Sequence, residues 1–231
     1  MNTPQSVFDY YQKKLSCDGH IGASIYEIWE KGGSYLDSVT PSTYCLDYRN
    51  TMVGRLMGVI GSDKTRRVLS LGCGNAFVEA ELVRRGLDVF AIDINREAVE
   101  LALAKQVPAA EVDFFDLQLT DGRPYDVIYA DGFFGHLYNA VDGCKHVLLK
   151  ARTLLSPMGK VVISNDGPSD NSTVQAHKSV PDFFYLSTQF LKQEGESCGF
   201  VAQELTNYGY TRPLSGPRTR SIVTLSVACT V

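Results

Sequence analysis

The 231-residue chain is short of several things that a specialised protein would need. Its six cysteines (Cys17, Cys45, Cys73, Cys144, Cys198 and Cys229) are scattered, with no CxxC pair and no histidine at ligand spacing. That pattern excludes a disulfide framework and a zinc site, so reduced thiols and no metal are expected. The first residues, MNTPQSVFDYYQKK, lack the basic start and apolar run of a signal peptide, and no apolar stretch approaches bilayer-spanning length. A cytoplasmic protein with no membrane partner is expected. Basic residues are not in excess: 22 Lys and Arg against 26 Asp and Glu give a net charge of -4, which supplies no general attraction to phosphate backbones. Nucleic acid is therefore not expected as a partner, and the best basic run, Arg212 to Arg220 with Arg218 between, reads as a solvated hairpin. There is no GxSxG elbow for a serine nucleophile, no internal repeat and no low-complexity tract, and nothing in the pattern specifies an oligomer.

What is present is a core. With 44% hydrophobic and 21% charged residues, the chain can build one well-buried α/β domain with an appendage. The informative stretch is Arg67 to Ala104, RVLSLGCGNAFVEAELVRRGLDVFAIDINREAVELALA. Its order is apolar strand, glycine turn Gly72-Cys73-Gly74-Asn75, amphipathic helix, second apolar strand, then Asp93 where that strand ends. Glycines let a ligand approach the backbone, the following helix offers its N-terminal amides, and an acid placed like Asp93 meets ribose hydroxyls at the open edge of a parallel sheet. The site is expected to hold a nucleoside.

Further along, strands are expected at Asp88 to Asp93, Glu111 to Phe115, Tyr125 to Asp131 and Lys160 to Asn165, with a helix from Arg96 to about Gln106. Val141, Cys144, Leu148, Ala151 and Leu155 recur at three- and four-residue steps, which predicts a helix with one buried stripe, ended by Pro157-Met158-Gly159. Strands alternating with single helices predict a parallel sheet with right-handed crossovers. The last third breaks the rhythm: after a polar loop and a helix near Asp182 to Glu194, strand-like runs Gly199 to Tyr208 and Ser221 to Ala228 are joined by a segment too short for a crossover helix, and so should pair as an antiparallel hairpin. Residues 1 to about 66 are helical in pattern and rich in aromatics.

Nicotinamide cofactors and S-adenosylmethionine share the strand, turn, helix and acid. The nicotinamide fingerprint wants a small residue three positions after the second glycine, and Phe77 stands there. Residues Val68 to Ala76, with Asp93, instead resemble the first two motifs of the class I S-adenosylmethionine-dependent methyltransferases, although the acid usual two residues before the first glycine is Ser70 and the usual third glycine is Ala76. The terminal hairpin extends the resemblance over about residues 67 to 228. It implies a Rossmann-like α/β fold: a mostly parallel seven-stranded sheet, helices on both faces, closed by the C-terminal hairpin. Residues 67–231 would form this domain and residues 1–66 a helical cap.

The resemblance also implies a site. Gly72, Cys73, Gly74, Asn75, Asp93 and Ile94 would hold the cofactor, whose product is S-adenosylhomocysteine, and Asp116 with Leu117 would meet the adenine, although Asp116 could equally cap a turn. Asp131 and Gly132 would lie beside the methyl group, in a segment, Asp131 to Leu137, similar to the small-aromatic, Gly/Ala, His, Leu pattern of glycine- and aminosugar-type N-methyltransferases. Ile25 to Trp29 resembles the capping helix of those enzymes, so Tyr26 is a cofactor candidate, and Tyr35, Phe134 and His136 are acceptor candidates; rings such as Phe8, Tyr11 and Trp29 are expected simply to pack the helices. Such a lid would exclude water.

Chemically, a neutral amine already carries the lone pair that methyl transfer needs, and Asp131 or His136 could orient it and take its proton. An alcohol or phenol would need a base, for which His136 is the natural choice, its alternative being a helix-start residue bonded to backbone. His146 lies off the buried stripe and is expected in solvent, and His177 sits in a loop that can overhang the acceptor. The reading is a methyltransferase acting on a small-molecule acceptor, of the kind met in natural-product biosynthesis, with N-methylation preferred to O-methylation. Open beside it are a small-molecule O-methyltransferase, an NAD(P)-dependent oxidoreductase and a non-catalytic cofactor-binding subunit.

Overall fold

The computed structural model describes residues 3–15, 22–34, 40–119, 122–212 and 216–228, which leaves Tyr35 outside the described residues. Seven strands form one sheet: β1 (Arg67–Leu71), β2 (Asp88–Asp93), β3 (Ala109–Glu111), β4 (Tyr125–Asp131), β5 (Leu155–Asp166), β6 (Phe200–Arg212) and β7 (Gly216–Val227). Their order is β3-β2-β1-β4-β5-β7-β6. The first five run parallel, and β7 lies antiparallel to both β5 and β6. After β3 the chain returns to the other side of β1, so the order reverses between β1 and β4, and a crevice opens at the carboxyl ends of those strands.

Eight helices accompany the sheet among the described residues: α1 (Gln5–Tyr11), α2 (Ile25–Glu30), α3 (Leu46–Ile60), α4 (Phe77–Arg84), α5 (Arg96–Ala104), α6 (Phe133–Leu137), α7 (Lys145–Leu154) and α8 (Thr188–Ser197). Successive strand residues point to opposite faces, and here both faces are apolar. Val68, Val89, Val127, Val162 and Ile222 pack with Met52 and Leu56 of α3 and Val78 and Leu82 of α4. Their neighbours Leu69, Ile128, Val161, Ile163 and Val223 pack with Leu148 and Ala151 of α7 and Leu191 of α8. Each fully buried Val, Leu, Ile or Met side chain contributes about 1.5–3 kcal/mol, so the two layers clamp the sheet whose strand ends form the crevice. Side-chain caps fix several helix starts: Asn95 accepts from Glu97 N, Ser187 from Phe190 N, and Ser24 with Glu27 forms a reciprocal capping box on α2. Among the described residues no helix is long and apolar enough to cross a membrane.

The expected sheet and hairpin are present, with local differences. The third strand stops at Glu111 instead of Phe115, because the Asp113 carboxylate accepts Phe115 N–H at 3.0 Å and turns the chain. Val141 is not on the helical stripe: it is 91% exposed. The Asn139 side chain accepts the amides of Val141 and Asp142 there, delaying α7 until Lys145. That helix ends at Leu154, ahead of Pro157, and β5 begins at once. Phe184–Leu186 pairs with Val174–Ala176 instead of opening a helix, which starts only after the Ser187 cap. The hairpin strands run on to Arg212 and from Gly216, because Tyr208 and Tyr210 pack on Tyr48 of α3 and hold the ladder together past the turn-rich residues. Of the basic run expected in solvent, Arg212 and Arg220 are buried, at 4% and 2% exposed, whereas Arg218 is exposed. His146 is half-buried and stacked on Phe115, with ring centroids 5.7 Å apart.

Candidate active site

The crevice between β1 and β4 is the floor of a cavity roofed by the N-terminal segment. Thr3, Val7, Tyr11, Tyr26 and Trp29 face it from above. The roof is tied down along its length. Thr3 donates twice to Asp113, Ser6 donates to Asp182, and the Asn75 side-chain amide donates to the Tyr26 carbonyl (3.1 Å) and to Glu30 (2.6 Å). Glu30 also pairs with Lys105 Nζ at 2.6 Å.

The glycine turn behaves as its composition demands. Gly72 and Gly74 have φ of 63° and 51°, a region that L residues avoid. A Cβ on Gly72 would lie 2.8 Å from the Phe133 ring, whereas one on Gly74 would meet nothing nearer than the Tyr26 ring at 4.0 Å. At the end of β2, Asp93 accepts Gly74 N–H and Asn95 N–H, each at 2.9 Å. Burial lifts its carboxyl to about 6, against the pull of those amides. Below the turn, Ser70 donates to Glu79 of α4 at 2.6 Å, and burial pushes that acid to about 7. An acid is therefore present beside the strand position where Ser70 replaces one, supplied from the helix.

The other half of the cavity is built on a buried charge network. Asp131, closing β4, accepts from Arg220, from Tyr48 (2.5 Å), from Tyr129 (3.0 Å) and from Ser42 (3.3 Å). Asp166, closing β5, accepts from both Arg212 and Arg220 at 3.2 Å, and the two guanidiniums hold its carboxyl below the usual range against the opposing effect of burial. Both arginines come from the terminal hairpin, Arg220 standing opposite Asp166 in the ladder. With both oxygens engaged, Asp131 is placed to orient its neighbours and poorly placed to accept a proton.

His136 lies on α6, started by Gly132 in the left-handed conformation. Its Nε2 is 2.8 Å from the Tyr11 hydroxyl, and its ring packs on Phe183 with centroids 4.6 Å apart. Burial drives its pKa down to about 3, so the ring is neutral. Its Nδ1 is buried without a partner, as are Asn75 Oδ1 and Trp29 Nε1. All three residues are cavity walls. An unmet buried polar atom costs about 1–3 kcal/mol, so three around one cavity mark a place for a polar ligand.

Of the residues singled out from sequence, Tyr26, Gly72, Cys73, Gly74, Asn75, Asp93, Ile94, Asp131, Gly132 and His136 line this one cavity. Asp116 is exposed and Leu117 is buried in the core, and neither is a wall; Val112 and Phe114 line that end. Phe134 points into the core and Phe133 faces the cavity. Sequence reasoning missed Tyr11, Glu79, Asp166, Arg212 and Arg220. One signal was available: an acid inside the buried stripe Val78, Glu79, Leu82 needs a partner, and Ser70 is within reach.

Four likenesses accompany this geometry. Residues 62–198 match the family model described as a methyltransferase domain, which covers more than half of the chain. A tabtoxin biosynthesis enzyme from Pseudomonas amygdali pv. tabaci is 39% identical over 220 residues, 94% of this chain and 86% of the relative. Among solved structures, a 1,6-didemethyltoxoflavin-N1-methyltransferase from Burkholderia thailandensis superposes with a TM-score of 0.64 at 18% identity, over 78% of each chain. The magnesium protoporphyrin IX methyltransferase of Synechocystis does so with a TM-score of 0.58 at 16% identity, over 79% of each. With a seven-stranded sheet closed by an antiparallel hairpin and a cavity at its switch point, the chain belongs to the class I S-adenosylmethionine-dependent methyltransferases, enzymes whose cofactor is S-adenosylmethionine.

Proposed function

We propose that the protein transfers a methyl group to a nitrogen of a small-molecule acceptor. The cavity fits the cofactor: glycine backbone lies open beneath the Tyr26 ring, Asp93 faces it, and Asn75 Oδ1 and Trp29 Nε1 await partners. S-adenosylmethionine supplies an electrophilic methyl on a cationic sulfur. Asp93 would accept from the ribose hydroxyls, Val112 and Phe114 would flank the adenine, and Glu79, held from behind by Ser70, would meet the ammonium end. Tyr11 of α1 with Tyr26 and Trp29 of α2 would form the lid that keeps water from the reacting atoms, while α3 packs on the sheet.

The observation that carries the choice of nitrogen is His136. A general base works best with a pKa near the operating pH, and a ring held near 3 by burial is a poor partner for the proton of an alcohol or phenol. It remains a good hydrogen-bond partner. Tyr11 holds Nε2, and His136 as a cavity wall can orient an amine whose lone pair is already available. The relative in tabtoxin biosynthesis and the fold shared with a toxoflavin N-methyltransferase support an acceptor of the natural-product kind. The test is turnover of matched aliphatic and heteroaromatic amines and phenols, followed as S-adenosylhomocysteine released. Amines are expected to be methylated in preference; faster phenol turnover would reverse the assignment.

A further inference from the structure

Arg212 is buried, yet its hydrogen bonding is incomplete. Nε donates to the Tyr210 hydroxyl at 2.6 Å, and Nη2 donates to both oxygens of Asp166 at 3.2 Å. Nη1 makes no hydrogen bond to the described residues, and Arg212 is one of the residues that line the cavity. The charges are shared unevenly. Arg220 draws on two carboxylates, Asp131 and Asp166, whereas Arg212 has only its share of Asp166. Arg212 is therefore the less fully countered of the two guanidiniums, and it lines the same cavity as His136 and Phe183.

A guanidinium fixed through Nε and Nη2, in the wall of a cavity lined by aromatic rings, is suited to take a planar anion on its remaining N–H pair. We propose that Arg212 anchors a carboxylate of the methyl acceptor, so that the substrate class is a nitrogen compound bearing a carboxylic acid. This rests on the N-methyl reading and narrows it. Phe183 and His136 supply flat walls for the remainder of such a molecule, and Asp166 holds the anchor in place.

The test uses the whole protein saturated with S-adenosylhomocysteine and titrated calorimetrically with benzoate, 4-aminobenzoate and picolinate, each against its carboxamide. At least one acid is expected to bind tenfold or more tightly than its amide, about 1.4 kcal/mol. In Arg212→Gln that preference is expected to vanish while affinity for S-adenosylhomocysteine stays within threefold. Arg212→Lys, which keeps the charge without the fork, is expected to fall between and serves if the glutamine variant does not fold. Equal binding of acids and amides to the wild type overturns the proposal, as does a preference that survives in Arg212→Gln. Loss of S-adenosylhomocysteine affinity in both variants would assign Arg212 to the cofactor's own carboxylate and also overturn it. Failure of the wild type to bind S-adenosylhomocysteine would strike the methyltransferase reading itself, and is seen before any acid is added.

Discussion

The Tyr11 hydroxyl lies 2.8 Å from Nε2 of His136, joining the N-terminal roof to the helix that follows β4 across 125 residues of sequence. The contact sets the orientation of a ring that forms part of the cavity wall. Burial also pushes the Tyr11 phenol well above its ordinary range, so its proton stays in place and the contact persists at neutral pH.

Replacing Tyr11 with Phe keeps the ring and removes this bond. A bond of this kind is worth about 1 kcal/mol, so kcat is expected to fall roughly five- to tenfold with S-adenosylhomocysteine affinity unchanged. Steady-state kinetics beside calorimetry would show it; an unaltered kcat would make the contact merely structural.

Arg220→Gln leaves Asp131 without its cation and Asp166 with Arg212 alone. Breaking a buried pair costs about 3–5 kcal/mol, because the desolvated charge stays behind. Urea unfolding should show a loss of that size. A change below about 1 kcal/mol would mean that water reaches the network.

Glu79 gives the pH dependence a sign. Its carboxyl titrates at about 7 when folded and at about 4.3 when unfolded, so between those values the folded state holds a proton that the unfolded state has lost. Its contribution is fully present below the unfolded value and is lost as pH rises towards 7. Over that window the unliganded wild type should lose stability relative to Glu79→Gln, by an amount on the order of a few kcal/mol. Parallel unfolding midpoints from pH 4 to pH 8 for the two proteins would contradict it.

The Asn75 latch makes a local claim. Asn75→Ala removes two hydrogen bonds to α2, one of them to the Glu30 carboxylate. Amide exchange of residues 25–30 is expected to accelerate about tenfold or more, with the sheet strands unchanged. If α2 exchanged as slowly as in the wild type, the latch would not be what holds it.

Much of the sheet and of its nucleoside end was legible because local rules decide them. The glycine turn and Asp93 are adjacent in structure for the same reason that they are ordered in sequence: one strand, one helix and one strand separate them. The half built on β4, β5 and the hairpin obeys no such rule. Arg212 and Arg220 read as surface charge because their partners, Asp166 and Asp131, lie 46 and 89 residues away. Only the hairpin register brings them together. Tyr11 read as packing for the same reason: its hydrogen bond is set by where the roof lands. Phe133 and Phe134 were confused because, in a helix of five residues, one position decides between cavity and core.

The central claim is that the crevice binds the adenosyl cofactor with Asp93 on the ribose. Calorimetric titration of wild type and Asp93→Ala with S-adenosylhomocysteine, with NAD and NADP as controls, tests it most directly. Micromolar binding of S-adenosylhomocysteine to the wild type, about 8 kcal/mol, is expected, with a large loss in Asp93→Ala and none of the nicotinamide cofactors bound. Equal affinity in the two proteins, or binding of a nicotinamide cofactor, would contradict it.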